Sequence, residues 1–153
     1  MLWGQGQLRS FWRLYSEFKL VDTVLDHRRL RGGPGMGGFK KMSYFGSIGS
    51  NENKNLFGSV SQFLEYMPAG NGGQSVSSLD LSWQLAPNIA MSIGGKYVFN
   101  VEDLQFVSGD RDNNLYVLGR LKQNVLSSQL RLDYLFTKYL SLQFFGQVFC
   151  VNR

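Results

Sequence analysis

A single cysteine, a single histidine and three prolines stand in 153 residues, and each scarcity removes a class of explanation. Cys150 alone cannot make an intrachain disulfide, and no multi-thiolate metal site can be assembled around it. His27 has no second histidine to complete a metal site or an imidazole pair, and it stands among charges in Leu25-Asp26-His27-Arg28-Arg29, the setting of a solvated loop residue. No apolar run approaches the roughly 20 residues that a membrane helix requires. Charged residues make up only 18% of the chain, with a net charge of +5. The basic residues gather at Arg28, Arg29 and Arg31 and at Lys40 and Lys41, on either side of a glycine-rich loop. They form no stripe interleaved with aromatics, so no nucleic-acid partner is expected. The opening Met-Leu-Trp-Gly-Gln-Gly-Gln-Leu-Arg has neither a basic start nor an apolar core nor a small-residue cleavage site, so it does not read as an export signal.

What the chain has instead is alternation. Over residues 126–148, Leu126, Leu130, Leu132, Tyr134 and Phe136 fall on one side, and Ser127, Gln129, Arg131 and Asp133 on the other. After a tight hinge, Leu140, Leu142, Phe144 and Val148 continue the apolar side against Ser141, Gln143 and Gln147. Side chains alternate across a strand, so this pattern builds one apolar and one hydrophilic surface. Aromatics at 14% and eighteen glycines suit β-structure with tight turns and close backbone contacts. A mean hydropathy of −0.18 would by itself indicate a soluble chain, but opposite faces of a barrel strand cancel in any window.

The alternation predicts an all-β fold, an antiparallel up-and-down meander of about seven long strands. These cover residues 7–21, 40–50, 55–67, 75–85, 89–99 with an extension to 107, 115–136, and 139–149. A helix competes for the first segment, whose second side mixes Phe11 and Tyr15 with charges. A bulge or register change is expected near residues 119–123. Tight turns are expected at Ala86-Pro87-Asn88 and Thr137-Lys138, and the longer links fall at 22–39, 68–74 and 108–114. Short turns at one end and longer loops at the other are the habit of outer-membrane barrels, as are aromatic girdles such as Trp83, Tyr134 and Phe136 beside the turns. The expected product is therefore an incomplete outer-membrane β-barrel, a fragment whose export signal and closing strands lie in a longer parent.

On that reading one face meets lipid: Leu79, Leu81, Trp83, Ile89, Met91, Ile93, Leu130, Leu132, Tyr134, Leu140, Leu142 and Phe144. The lumen-facing polar set is Asp80, Gln84, Lys96, Gln129, Arg131, Asp133, Gln143 and Gln147. Those charges either tune the passage of a polar solute or fill the lumen with ion pairs. Outer-membrane lipid is the expected partner. The alternative is a soluble β-sandwich binding module whose core uses the same apolar face.

Several segments also resemble a bacterial family. Leu30-Arg31-Gly32-Gly33-Pro34, Leu104-Gln105-Phe106-Val107, Tyr116-Val117-Leu118-Gly119-Arg120-Leu121 and the run 130–149 are similar to the carboxy-terminal domain of unknown function in proteins that carry an amino-terminal carbohydrate-binding family 9-like domain. The resemblance spans roughly residues 8–149 and departs at Val148-Phe149, where the family usually has Pro then Phe. It implies residues 1–153 are part of a carboxy-terminal β-barrel domain in the bacterial outer membrane. Carbohydrate contact would then belong to the separate sugar-binding domain, not to residues of this chain.

Chemistry is sparse. Gly32-Gly33-Pro34-Gly35-Met36-Gly37-Gly38 lacks the Gly-Lys-Ser/Thr and the following helix of a phosphate loop, so turn-forming glycine is the reading. Asp103, Asp110, Asp112, Asn113 and Asn114 offer oxygens, but no downstream Glu completes a calcium loop. No nucleophile and base stand in a recognisable pattern, so neither an enzyme nor a cofactor is expected.

Overall fold

The computed structural model describes residues 1–22, 25–26, 30, 35–37, 40–68, 72–110 and 115–152. Among the described residues there are ten strands: β1 (Leu2–Gln7), β2 (Arg13–Asp22), β3 (Leu25–Asp26), β4 (Met36–Gly37), β5 (Lys40–Gly49), β6 (Leu56–Met67), β7 (Gly72–Ala86), β8 (Ile89–Asp110), β9 (Leu115–Thr137) and β10 (Leu140–Asn152). Eight of them form one antiparallel meander in the order β1-β2-β5-β6-β7-β8-β9-β10. The sheet is open, with β1 at one edge and β10 at the other. β3 and β4 make a separate two-stranded ribbon within the β2–β5 connection.

The fold class follows the alternation, but the strand count is eight in the sheet, not seven. The expected first strand begins six residues late, at Arg13, because residues 8–12 are a turn rather than strand or helix. Leu8 N–H donates to the Trp12 carbonyl and Phe11 N–H to the Leu8 carbonyl, both at 2.9 Å. Leu8 and Trp12 are an even number of residues from Leu14, so they matched its phase without belonging to its strand. β1 escaped because Gly4, Gln5, Gly6 and Gln7 carry no apolar period of two; its place is fixed by pairing with β2.

The other strands lie close to expectation. Pro87 sits in the turn between β7 and β8, outside the ladder, where its missing N–H removes no bond. The last turn is Lys138-Tyr139, one residue later than expected. The irregularity expected at residues 119–123 is carried by the partner strand. Register shifts occur on β8 between Glu102 and Gln105 and between Phe106 and Ser108. β8 has the extra residues there, opposite Gly119 and its neighbours, and bulges of this kind increase local twist. Past the Gly73–Val101 pair β7 ends, and β8 and β9 continue alone as a projecting ribbon.

Only Leu30 (7% exposed) and Met67 (8%) are buried hydrophobics among the described residues. A soluble domain of this size ordinarily gathers its large apolar side chains into one contiguous core. Among the described residues the large apolar side chains are instead spread, mostly exposed, over the sheet. His27, Gly32, Gly33, Pro34 and Gly38 of the loop motifs, and Asp112, Asn113 and Asn114, lie outside the described residues.

Phe11 has φ of 62°, the left-handed region that disfavours a side chain. That geometry costs about 1–2 kcal/mol for an L-residue, against an entropic cost of about 0.5–1 kcal/mol for glycine. Phe11→Gly is therefore expected to stabilise the fold by about 0.5–1 kcal/mol in equilibrium urea unfolding. A clear loss of stability would show instead that the Phe11 ring makes contacts outweighing the strain.

Candidate functional site

Residues opposite one another in a ladder point to the same side, so the registers sort every side chain onto one of two faces. The first face carries Leu81↔Ile93↔Leu130 and Trp83↔Met91↔Leu132↔Phe144 across four strands. Ile89↔Tyr134↔Leu142 runs beside them, and Leu79 and Leu140 share the face by the period of two. The same face extends over β6, β5 and β2 through Leu56, Val60, Leu64 and Tyr66, then Met42, Tyr44 and Ile48, then Leu14, Phe18 and Leu20. Tyr134 and Phe136 stack edge to face at 4.3 Å near the β9–β10 turn.

The second face carries all eight residues of the expected polar set. Asp80↔Gly94↔Gln129↔Gln147 form one row, and Gln84↔Ala90↔Asp133↔Gln143 another. Lys96 faces Ser78 and Ser127, and Arg131 faces Ser92 and Phe145. Arg13, Glu17, Lys19, Lys41 and Glu65 also fall here. Within the main sheet up to the Val101–Lys122 pair, the charged side chains on the apolar face are confined to its loop-side rim, at Asp22, Lys40 and Lys122. Asp22 and Lys40 stand 4.0 Å apart there, and the Lys122 ammonium lies 5.8 Å from the Phe99 ring centre.

Among the described residues three ion pairs lie on the polar face. Arg131 Nε donates to Asp133 Oδ2 at 3.0 Å, Lys41 Nζ to Glu65 Oε1 at 3.4 Å, and Arg13 pairs with Glu52. In the projecting ribbon Arg120 Nε approaches Asp103 Oδ1 to 2.8 Å as an ion pair. The N–H does not point along that line, so this oxygen lacks a well-directed hydrogen bond. Among the described residues no three His, Cys, Asp or Glu side chains converge as a metal site would require.

Asp80 and Gln129 border a polar hollow of about 220 Å³ that also touches Ser78, Lys96, Ser127 and Gln147. Gly94, between them, makes it. A Cβ built there would meet Gln129 Nε2 at 2.6 Å and Asp80 Oδ1 at 3.0 Å. The missing side chain lets a carboxylate and an amide fold over the strand from both sides. Its neighbour Gly95, on the opposite face, would meet nothing within 4 Å.

Sequence reading missed a different row. Trp3↔Glu17↔Phe45↔Phe63↔Val76↔Val98↔Val125↔Val151 crosses the whole sheet on the polar face and is apolar at every position but Glu17. Strand by strand, each looked like a stray apolar residue on a polar side. Only the register lines them up.

Among the polar groups on the apolar face, one cluster on β6 and β7 satisfies itself. Gln62 Nε2 donates to Ser75 Oγ at 2.9 Å and to the Phe63 carbonyl at 3.2 Å, and Ser77 Oγ donates to Gln62 Oε1 at 2.5 Å. Beside this cluster Gly4, Ser16 and Gly46 leave a shallow apolar hollow of about 660 Å³. No protein-family model matches the chain, and no curated protein or solved structure matches it either.

The two glycines give a paired test. Gly94→Ala must displace the Gln129 or Asp80 side chain on this open face, and is expected to cost less than the roughly 1–3 kcal/mol of overpacking in a closed core. Gly95→Ala is expected to be neutral or slightly stabilising in the same urea titration. Equal effects at the two positions would mean that Gly94 is not a packing requirement.

Proposed function

We propose that this chain is part of a bacterial outer-membrane β-barrel, a membrane anchor or transport-associated barrel that in a longer parent is linked to carbohydrate binding. The observation that carries the reading is the segregation of charge across a whole uncovered sheet. Below Lys122, β9 keeps charge off its apolar face to its end at Thr137, longer than the roughly 9–11 residues a tilted strand needs to cross a bilayer. Charged side chains cost about 2–4 kcal/mol at the lipid midplane, and their confinement to one face and to the rim is what that cost selects.

Two further features agree. In hydrocarbon a polar side chain has no water to turn to, and Gln62, Ser75 and Ser77 bond one another. The tight Pro87-Asn88 and Lys138-Tyr139 turns share one end of the meander, opposite the long β2–β5 connection, as short periplasmic turns oppose longer external loops. In this reading the apolar face meets outer-membrane lipid, the polar face lines the lumen, and the edges of β1 and β10 pair with further strands. Carbohydrate contact falls to a separate domain of the parent, following the resemblance of the loop and hairpin segments.

Folding into lipid vesicles tests the orientation. Leu132→Arg is expected to reduce folding stability by about 2–4 kcal/mol. Gln143→Arg, on the polar face opposite Asp133, is expected to cost far less. Equal losses would remove the lipid-facing assignment and favour a soluble sandwich in which another layer covers the apolar face.

A further inference from the structure

We propose that the loop-side end of the apolar face holds one anionic membrane lipid, its phosphate on Lys122 and Arg120 and the first part of its acyl chain in the hollow beside them, an inference that rests on the outer-membrane reading above. At this end β7 places Gly73 and Ser75 on the apolar face. Tyr66 and Leu64 of β6 stand directly opposite them on one side, and Val101 and Phe99 of β8 on the other. Two small residues between four large ones leave a trough along β7, an apolar hollow of about 580 Å³. That volume lies within the range of about 300–1,000 Å³ typical of small-ligand sites. Toward the turns the trough stops where Gln62 reaches across to Ser75 and Ser77. It therefore fits the headgroup end of a chain rather than a whole one. The trough runs along one strand between its two bonded neighbours, so its shape does not depend on how the sheet closes.

The mouth of the trough is cationic. Lys122 stands opposite Val101, and its ammonium lies 5.8 Å from the ring centre of Phe99, which forms one wall. Among the described residues no ion pair engages Lys122. Arg120, two residues further along β9, also lines the hollow. Asp103 Oδ1 approaches Arg120 Nε to 2.8 Å, which holds the guanidinium at the mouth. No N–H is directed along that contact, so the donors stay open to a second anion, in the forked geometry that suits phosphate. The Asp103 carboxylate offsets much of the Arg120 charge, and Lys122 supplies the surplus. A free phosphate would leave the hollow unfilled, and a hydrocarbon alone would leave Lys122 unpaired. An anionic lipid satisfies both.

Lipid preference measured at two places on the apolar face tests the site. Full-length chain carrying Cys150→Ser receives a single cysteine by Leu20→Cys, opposite Met42 at the hollow, or by Leu132→Cys at the turn end. Each is labelled with an environment-sensitive fluorophore and folded into vesicles of phosphatidylcholine and phosphatidylglycerol in equal amounts. Bromine is carried on the acyl chains of one lipid or the other, and the quenching ratio gives the preference for the anionic headgroup. The expected preference is about fivefold at position 20, what one basic side chain confers at an anionic surface, and near unity at 132. Lys122→Gln is expected to bring the value at 20 close to unity. Lys40→Gln, on the same rim but paired with Asp22, is expected to leave it unchanged. Met42→Cys replaces the first reporter if the Leu20 variant does not fold. Equal preference at 20 and 132, a preference at 20 that survives Lys122→Gln, or an equal loss in Lys40→Gln would overturn the site while leaving the membrane reading intact. Quenching by neither lipid at both positions would overturn the membrane reading itself.

Discussion

Register is the constraint on which everything else in this sheet depends. The side-chain period of a strand is two, so a slip of one residue in any ladder exchanges its faces. Slipping β7 by one residue against β8 would set Asp80 among Leu130 and Ile93 and bring Leu79 into the row of Gln129. The penalty is steep because the two faces differ so completely in charge. It is the chemical asymmetry of the faces, more than any single contact, that specifies the pairing.

Glycine and bulges then adjust a lattice already fixed. Gly94 opens space where Asp80 and Gln129 must share one level, and the β8 irregularities let the outer ribbon twist away once β7 has ended. Neither device alters the faces below. The β8 residues beyond Val101 can therefore tolerate shifts that would be ruinous between Ile89 and Val101, where every residue has a neighbour on both sides.

This division explains what could be read from the sequence. The β7–β8 and β9–β10 hairpins were legible because their apolar residues recur at strict spacing and their turns contain Pro87 or a polar pair. β1 was not, since a strand that runs on from Leu2-Trp3 in glycine and glutamine alone is specified by its partner's backbone and not by its own pattern. The bulge was felt on β9, where Gly119 weakens the alternation, but its extra residues belong to β8. The apolar row of Phe45, Phe63 and the three valines was invisible for a related reason. A row perpendicular to the strands has no local signature, and residues that stand together there are up to eighty positions apart in the chain.

Parity supplies the remaining step. An even number of strands in an up-and-down meander leaves its two edges running in opposite directions, and β1 and β10 do so here. Both edges expose rows of backbone donors and acceptors, which hydrocarbon cannot satisfy. Any closure that adds an even number of antiparallel strands keeps every pairing antiparallel and joins the two edges without a parallel seam. Barrel strands tilt, so a row that crosses them, such as that of Gln7, Asp80, Gln129 and Gln147, would run obliquely around a closed wall. Closure of this kind leaves the alternation untouched, so the chemical difference between the two faces would pass unbroken across the joined edges.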